Sequence, residues 1–289
     1  MAVAKERIQL ADNRLQLAYQ TQEIVRKRVD AAASPDFQLE KTNIEMTEAK
    51  IEKHHVEEEY KFARNDLARL LGLKNADDLD IDVDLSVLPK LTDHQDLIAA
   101  LKSAPQSRAQ EFAKMKAKSS LDLAKANGVP DPTVGIGVRQ YFDNDDTALV
   151  AELSMPLPFF DRNQGAIKSA HANVVRTGAQ ASAVELSLHQ SATQAWEIFS
   201  AELDILHHYE DEIIPRAQES YDQLRKGYDI GAFSFLDLLD AQRTLNRVQS
   251  EYLDNMLELY EAKVQIDFLA GTYKSLIQEV SQDNAEGVR

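Results

Sequence analysis

Apolar residues recur at three- and four-residue spacing along most of this sequence, and that pattern predicts unusually long amphipathic helices. The clearest one begins after Ser234, a residue type that caps helices, and ends at Ala270 before Gly271. At about 1.5 Å per residue it would be roughly 55 Å long. Two apolar stripes predict packing neighbours on two sides: Leu245, Val248, Tyr252, Met256 and Leu259 form one, and Leu253, Leu257, Tyr260, Val264 and Phe268 form the other.

The segment around this helix has an earlier copy in the chain. A shift of 199 residues places Asp30 on Asp229 and Gly72 on Gly271 without a gap. The identities concentrate at the preceding turn and at the far end of the helix: Arg26 with Arg225, Lys27 with Lys226, Ala33 with Ala232, Leu39 with Leu238, Ala63 with Ala262 and Leu70 with Leu269. A period this long predicts a duplicated half-protein rather than a solenoid of short repeats.

The first copy reads as two helical rods joined by a short break. The first rod covers Ala2 to Val29. Ser34 and Pro35 predict the start of the second, with Ser34 as its cap and Pro35 at the first helical position. That rod extends to Gly72, which makes it far longer than an average globular helix.

Two further helical stretches complete the prediction. Residues 93–127 are helical with an interruption near Pro105, and a very long helix covers about 163–228. Pro215 predicts a kink or local break within it. A tight turn around Gly231, which is free to adopt positive φ, then leads to the last helix.

Between these helices the pattern changes to strict alternation, which predicts a β-hairpin over residues 133–142 and 147–155. One face carries the apolar side chains Val134, Ile136, Val138, Leu149, Ala151, Leu153 and Met155. Arg139 and Glu152 lie on the other face with glycines. Each strand is about nine to ten residues long, the span of a tilted transmembrane β-strand. Because an isolated hairpin is barely stable in water, it needs partner strands or a bundle to cover.

The connector over residues 73–92 contains aspartates at every second position: Asp78, Asp80, Asp82 and Asp84. Period two predicts a short strand with an acidic face. A calcium loop is the alternative, but it needs Gly at position six and Glu at position twelve. Counted from Asp80, those positions hold Leu85 and Leu91.

Composition narrows the class of protein. Net charge is -16, which disfavours nucleic acid and anionic membrane surfaces as partners. Cys is absent, so disulfides and thiol chemistry are excluded. The sequence has no apolar run of about 18 residues that would form a transmembrane helix. We find no Ser/His/Asp or Cys/His set with a supporting motif and no phosphate-binding loop, so we expect no enzyme and no cofactor.

The order of elements and two motifs resemble the TolC-type outer membrane efflux proteins. The motifs are residues 157–167, LPFFDRNQGAI, after the hairpin, and Tyr228 to Ala241 around the turn. The Asp-Arg-Asn-x-Gly-Ala-Ile stretch is most similar to the branch that accompanies cobalt–zinc–cadmium pumps. The resemblance extends from Ala2 to Gly271 and implies a mainly α fold with two structural repeats and one transmembrane-type β-hairpin.

The resemblance also implies a function and partners. Such a protein is a homotrimer whose strands form a barrel in outer membrane lipid and whose helices form a hollow channel across the periplasm. Its tip meets a periplasmic adaptor protein and an inner-membrane pump. The chain would be a passive conduit for export, with heavy-metal cations as the cargo of this branch. The alternative from another class is a soluble helical scaffold that binds a partner through its long rods.

The domains expected on this basis are residues 1–127 as first-repeat rods with the 73–92 connector, 128–160 as the barrel hairpin, 161–272 as the second-repeat helical hairpin, and a frayed tail at 273–289. The second repeat has its β-hairpin before the position that matches Ala2. We therefore expect about 100 further residues, with a signal sequence and a matching hairpin, ahead of Met1 in the natural protein.

By the resemblance, acidic residues after the second turn surround the pore constriction. The matching positions are Asp237 and Asp240, with Tyr228 as a partner in the gate, and Gly231 and Pro35 shape the tip turns. The alternative is that both aspartates only favour the start of a helix through its dipole. The position that matches Asp237 in the first repeat holds Gln38, and Phe233 stands where the family often has a basic residue.

Histidine pairs raise one further alternative. The pairs are His54–His55 and His207–His208, and His208 is spaced to chelate a metal with Asp204 or Glu212. Adjacent histidines on a helix point in different directions, however, and their surroundings are charged helix surface. We therefore expect no resident metal.

Overall fold

A computed structural model describes residues 1–79, 85, 87–141, 143, 146–156 and 160–273. The chain divides into two compact units. Unit 1 contains Met1–Thr92 and Gln194–Ile266, and unit 2 contains Asp93–Thr193 and the chain from Asp267. The predicted frayed tail beyond residue 273, the aspartates of the connector from Asp80 to Asp84 and the first three residues of the 157–167 motif lie outside the described residues.

Long helices account for most of the described chain. They are α1 (Ala2–Asp30), α2 (Asp36–Leu70), α3 (His94–Leu101), α4 (Pro105–Ala126), α5 (Gln164–His208), α6 (Ile214–Asp229) and α7 (Phe235–Ala270). A 3-10 turn occupies Ala76–Asp78, so the acidic strand predicted from Asp78 onward does not begin there. None of the helices within the described ranges combines the length and the hydropathy needed to cross a lipid bilayer.

Unit 1 is held together by the first apolar stripe of α7. Leu245 and Leu259 are fully buried, and Val248 and Met256 are nearly so. Val25 of α1 and Tyr221 of α6 share the core with Leu245 and Val248. The second stripe is less covered, since Leu257, Val264 and Phe268 remain exposed. Within this single chain, the predicted packing is therefore confirmed for the first stripe, while much of the second stripe remains uncovered.

A buried polar layer joins the helices of both repeats in unit 1. Thr21 Oγ1 donates to Gln242 Oε1 at 3.0 Å and lies 3.2 Å from the Tyr221 hydroxyl. Burial raises the pKa of Tyr221. At the matching positions of the first repeat, Gln22 donates to Asn43 directly at 2.5 Å. In the second repeat, Thr21 of α1 bridges Tyr221 of α6 and Gln242 of α7. In the first repeat, Gln22 of α1 bonds Asn43 of α2 without a bridge.

The duplication is confirmed in backbone geometry. Ala32 adopts φ 55° and Gly231 adopts φ 80°, and these are matching positions in the two tip turns. The turns also share a hydrogen-bond pattern: Ala33 N donates to Arg28 O at 2.8 Å, and Ala232 N donates to Gly227 O at 2.7 Å. The far ends agree as well, because Gly72 and Gly271 have φ values of 69° and 72°.

Pro215 does interrupt the long helix. Residues Tyr209–Ile213 form a π-helical turn between α5 and α6, and the proline lies in the first turn of α6. Proline lacks an N–H, and in an α-helix its ring collides with the carbonyl four residues earlier. The wider π turn just before Pro215 accommodates both effects, as helix irregularities of this kind commonly do.

The β-hairpin is present in unit 2. Strand β1 (Thr133–Tyr141) pairs antiparallel with β2 (Asp146–Ser154). The register pairs Val134 with Leu153, Ile136 with Ala151, and Val138 with Leu149. Because cross-strand partners point to the same face, the apolar residues of both strands share one face. Met155 was predicted inside β2 but lies one residue beyond the ladder, so no cross-strand partner fixes its face.

Helices α3 and α4 supply the first part of unit 2, and the predicted interruption separates them. Asp93 caps α3 by accepting from Gln95 N at 2.7 Å, and Pro105 occupies the first turn of α4. After the hairpin, Asn163 at φ 58° precedes α5, and its side-chain amide donates to Ala124 O at 2.8 Å.

Candidate functional site

The two tip turns of unit 1 lie side by side and share side-chain contacts. We define the tip cluster as residues 28–38 from the end of α1 through the start of α2, and residues 227–240 from the end of α6 through the start of α7. All predicted gate and turn residues belong to it. Hydrogen bonds between the two halves of the cluster determine which partner each of these side chains has within the chain.

Arg28 is the central side chain of the tip cluster. Its Nη1 donates to the carbonyl oxygens of Tyr228 at 2.6 Å and of Asp229 at 3.3 Å. Its Nε donates to Ser34 Oγ at 3.2 Å, and its guanidinium lies 4.8 Å from the centre of the Tyr228 ring. The two carbonyls lie at the C-terminal end of α6, where no later helical turn can bond them, and the Tyr228 carbonyl also accepts from the turn residue Gly231 N at 3.0 Å. Arg28 of one repeat thus caps a helix of the other with a favourable charge.

Tyr228 is almost fully buried, and its hydroxyl donates to Gln38 Oε1 at 2.8 Å. Its ring also packs against Phe235, with the two ring centres 6.0 Å apart. The resemblance predicts Tyr228 as a partner of Asp237 and Asp240 in the gate of a trimer, whereas within this single chain its hydroxyl bonds to Gln38. Gln38 takes the hydroxyl because it occupies the position of Asp237 in the facing repeat.

Asp237 forms a capping box with Ser234. The Ser234 hydroxyl donates to Asp237 Oδ2 at 2.7 Å, and the Ser234 backbone N–H donates to the same oxygen at 3.0 Å. The Asp237 N–H lies 3.2 Å from Ser234 Oγ. These bonds to the carboxylate lower the pKa of Asp237. The predicted cap at Ser234 is confirmed, and the role that this contact gives Asp237 is to start α7.

The predicted cap of α2 is wrong. Helix α2 begins at Asp36, and Pro35 is its extended N-cap with φ -78° and ψ 148°. Ser34 does not cap this helix, because its hydroxyl is engaged by Arg28 instead. The two repeats therefore share a turn but start their second rods by different means.

Asp240 is exposed one turn after Asp237 and lines a groove between α2 and α7 of about 380 Å³. Arg243 of α7 and Glu45 of α2 both line this groove and form an ion pair that links the two helices. Ile44 and Leu239 give it an apolar wall.

Sequence reasoning missed two residues of the tip cluster. Arg28 was missed because its partners are backbone carbonyls two hundred residues away, which no local pattern marks. Gly227 was missed because its constraint is steric: a Cβ there would lie 2.6 Å from Cε2 of Phe233. The presence of Gly near a helix end next to a large apolar residue was the available signal for the latter.

Metal ligation receives no support from the described residues, which contain no group of three or more His, Cys, Asp and Glu side chains arranged to hold a metal ion. The His207–His208 pair closes α5 just before the π turn. The described residues offer two exposed carboxylates, Asp237 and Asp240, at the start of α7, and an apolar face on the β-hairpin.

The chain contains two repeats, each with a pair of long helices, and one amphipathic β-hairpin that lies between them in the sequence. This order of elements identifies the class of protein. Residues 97–272 match the outer membrane efflux protein family, and the chain belongs to that family. The resemblance inferred from the sequence is thereby confirmed.

Among curated relatives, the cobalt-zinc-cadmium resistance protein CzcC of Cupriavidus metallidurans is 25% identical over 269 residues, which are 93% of this chain and 64% of that protein. The nickel and cobalt resistance protein CnrC of the same species is 27% identical over 129 residues, 45% of this chain and 31% of CnrC. Outer membrane protein TolC of Escherichia coli is 27% identical over 158 residues, 50% of this chain and 32% of TolC. The similarity to the heavy-metal branch is confirmed by CzcC and CnrC.

Solved structures agree on the fold. The outer membrane protein VceC of Vibrio cholerae superposes with a TM-score of 0.78 at 18% identity, over 93% of this chain and 66% of VceC. The outer-membrane channel OprN gives 0.77 at 19% identity, over 93% and 63%. CusC gives 0.74 at 19% identity, over 93% and 65%. This chain therefore spans slightly less than two thirds of the length of these proteins and of CzcC.

Proposed function

We propose that this chain is a subunit of an outer membrane channel that acts as a passive conduit for export across the periplasm and outer membrane. In this proposal it forms a homotrimer, and its tip meets a periplasmic adaptor protein and an inner-membrane pump. The helical rods extend into the periplasm, and the β-hairpin lies in outer membrane lipid. No step of this function requires a catalytic residue.

The observation that carries the proposal is the one-sided β-hairpin. Val134, Ile136, Val138, Leu149 and Leu153 share one face and are each between 70% and 80% exposed, and Ala151 is exposed among them. The opposite face carries the charged residues Arg139 and Glu152 and two glycines, together with Val150 and Tyr141. A contiguous apolar face of this kind is costly in water, and in a barrel wall it contacts lipid while the polar face lines the lumen. Met155, next to the end of β2, is assigned to the lipid side with them.

Adjacent residues on opposite faces provide the test. Single cysteines at Val138 and Arg139, and at Ala151 and Glu152, would be introduced into the protein reconstituted in outer membrane lipid. We expect a lipid-soluble maleimide to label Val138→Cys and Ala151→Cys, and a water-soluble maleimide to label the other two. The chain itself contains no Cys, so each label reports one site. Equal aqueous labelling of all four would refute the membrane role and favour a soluble helical scaffold.

We also propose that Asp237 and Asp240, together with Tyr228, form the pore gate. Three copies would place six carboxylates around one axis, where they attract cations and repel one another. Gly231 and Pro35 set the shape of the two turns that carry this ring. The capping box supports the proposal in one respect, because it holds the Asp237 carboxylate in its charged form at a fixed place.

Single-channel recording tests the gate. Replacing both aspartates with alanine in the trimer should raise the conductance and abolish block by divalent cations from the periplasmic side. Glu40→Ala, which removes an exposed carboxylate from the first turns of α2, is the matched control. If the double variant conducts and is blocked like the control, the two aspartates serve only to start α7 and the gate lies elsewhere.

The cargo we propose is divalent transition-metal cations. The support is the similarity to CzcC and CnrC, together with a net charge of -16 that suits a cation-conducting surface. Deleting the gene should increase cellular sensitivity to cobalt, zinc and cadmium, and the complete gene should restore resistance. Unchanged metal sensitivity with increased sensitivity to organic toxicants would assign the channel to another cargo.

A further inference from the structure

The π turn between α5 and α6 is attached to α7 by two hydrogen bonds that cross. The Tyr209 hydroxyl of the π turn donates to Glu251 Oε2 of α7 at 3.0 Å. The Tyr252 hydroxyl of α7 donates to Glu210 Oε1 of the π turn at 2.6 Å. Neighbouring residues on each side therefore exchange one donor and one acceptor, and the two tyrosine ring centres lie 6.5 Å apart.

Further contacts and burial affect one acceptor, Glu251, and one donor, Tyr252, of these two hydrogen bonds. Glu251 also accepts from Arg247 Nη1 at 2.9 and 2.8 Å, and chiefly this contact lowers its pKa. Burial, and then the bond to Glu210, raises the pKa of Tyr252. At neutral pH Glu251 is thus a charged acceptor and Tyr252 is a neutral donor, which fits the direction of the hydrogen bond that each makes.

The π turn also lacks the buried apolar residues that pack the helices on either side of it. None of the five residues of the π turn is buried, whereas Leu206 before it is fully buried and Ala217 after it is buried. Segments with few buried contacts and irregular backbone hydrogen bonds open most readily. Across the π turn, the tyrosine–glutamate pairs take the place of a hydrophobic contact.

The first repeat lacks this arrangement at matching positions. Residues 10–14 of α1, which correspond to the π turn, are regular α-helix. Lys53 occupies the position of Tyr252, and its Nζ pairs with Asp12 Oδ1 at 2.6 Å. Ala11 in this segment is buried. The irregular turn is therefore a property of the second repeat alone, and Pro215 has Gln16 as its counterpart.

We propose that the π turn is a hinge. The Tyr209–Glu251 and Tyr252–Glu210 hydrogen bonds keep this hinge closed by holding α6 in register on α7. Opening frees α6, which carries Tyr228 and the second tip turn, to shift against α7 while α1 and α2 stay paired. This inference does not depend on the channel role, because it concerns motion within unit 1.

Hydrogen–deuterium exchange of the full chain tests the hinge. In the variant Tyr209→Phe/Tyr252→Phe, both rings remain and both donors are lost, so exchange across residues 205–216 should rise roughly 25-fold at about fivefold per hydrogen bond. Lys53→Met, which breaks the matching contact of the first repeat, should leave residues 205–216 unchanged. Pro215→Ala restores an N–H and should slow exchange in that segment.

Three results would overturn the hinge. One is exchange in the double variant no faster than in Lys53→Met. Another is an equal rise throughout α1 and α2, which indicates general loss of stability rather than a local opening. The third is unchanged exchange in Pro215→Ala, which would make the π turn a static accommodation of the proline. Because none of these readouts requires conductance, failure of the hinge and failure of the channel proposal are separate outcomes.

Discussion

Replacing Arg28 with methionine should separate the two tip turns. Methionine keeps most of the aliphatic stem and removes the charge and all donors. The variant loses a 2.6 Å bond to the Tyr228 carbonyl, and a hydrogen bond from a charged donor contributes about 1.5–3 kcal/mol. The stacking over the Tyr228 ring adds about 0.5–1 kcal/mol. Arg28 is only half-buried, so water recovers part of this, and we expect a net loss of about 2 kcal/mol.

Urea denaturation of the full chain measures this loss. Trp196, the sole tryptophan, lies in unit 1 and reports on the unit that contains the tip cluster. Arg26→Met is the matched control, since it removes the same charge two residues earlier from an exposed position. A fall of about 2 kcal/mol in unfolding free energy should occur for Arg28→Met and be nearly absent for Arg26→Met.

A double-mutant cycle then isolates the ring contact. Tyr228→Leu removes the ring and its hydroxyl but leaves the carbonyl that Arg28 binds. Arg28→Met and Tyr228→Leu should therefore show a coupling energy of about 0.5–1 kcal/mol, well below the full effect of Arg28. Equal losses of unfolding free energy for Arg28→Met and Arg26→Met would refute the role of Arg28 in joining the two tip turns.

Three other predictions concern the same cluster. Tyr228→Phe should lower the unfolding free energy by about 1 kcal/mol, and adding Gln38→Ala should lower it by less than the sum of the single effects, as measured in the same denaturation assay. Gly227→Ala should cost about 1–3 kcal/mol because its Cβ meets the Phe233 ring, while Gly227→Ala combined with Phe233→Ala should recover most of that loss. For Asp237 the folded-state pKa is lowered, so its contribution to stability is present above its ordinary value of 3.8 and is lost as pH falls through the folded value. Asp237→Asn should accordingly be less stable than the wild type at pH 7, and the difference should shrink towards pH 3; a constant difference would contradict the capping role.

The elements of this fold could be predicted because their signals are local. Gly231 and Gly271 mark turns that need positive φ, Pro215 marks the break in the long helix, and alternation marks β1 and β2. The 199-residue offset was predictable for the same reason, since turns constrain residue type more than rods do. Ala32 carries no such signal. It adopts positive φ at a position where its repeat counterpart is glycine, and only the duplication identifies it.

Side-chain partners could not be predicted, because they depend on how four rods align. Tyr228 stands at the end of α6, and the resemblance predicts it as a partner of Asp237 and Asp240 in the gate. Its ring instead turns towards α2, where Gln38 accepts its hydroxyl. The choice between these partners is set by the burial of Tyr228 against Phe235, which only the packed structure reveals.

The two repeats have diverged in a complementary way at the tip. Arg28 and Gly227 occupy matching positions, and the first supplies a long charged side chain while the second leaves room for the Phe233 ring. The Phe233 position is occupied by Ser34 in the first repeat, where the small hydroxyl accepts from Arg28. The second repeat could not place an arginine at the Gly227 position in this packing, since even a Cβ there would meet the Phe233 ring. Divergence of the duplicated turn therefore makes the first repeat the donor, through Arg28, and the second repeat the acceptor, through the carbonyls that end α6, and this asymmetry joins the two turns within one chain.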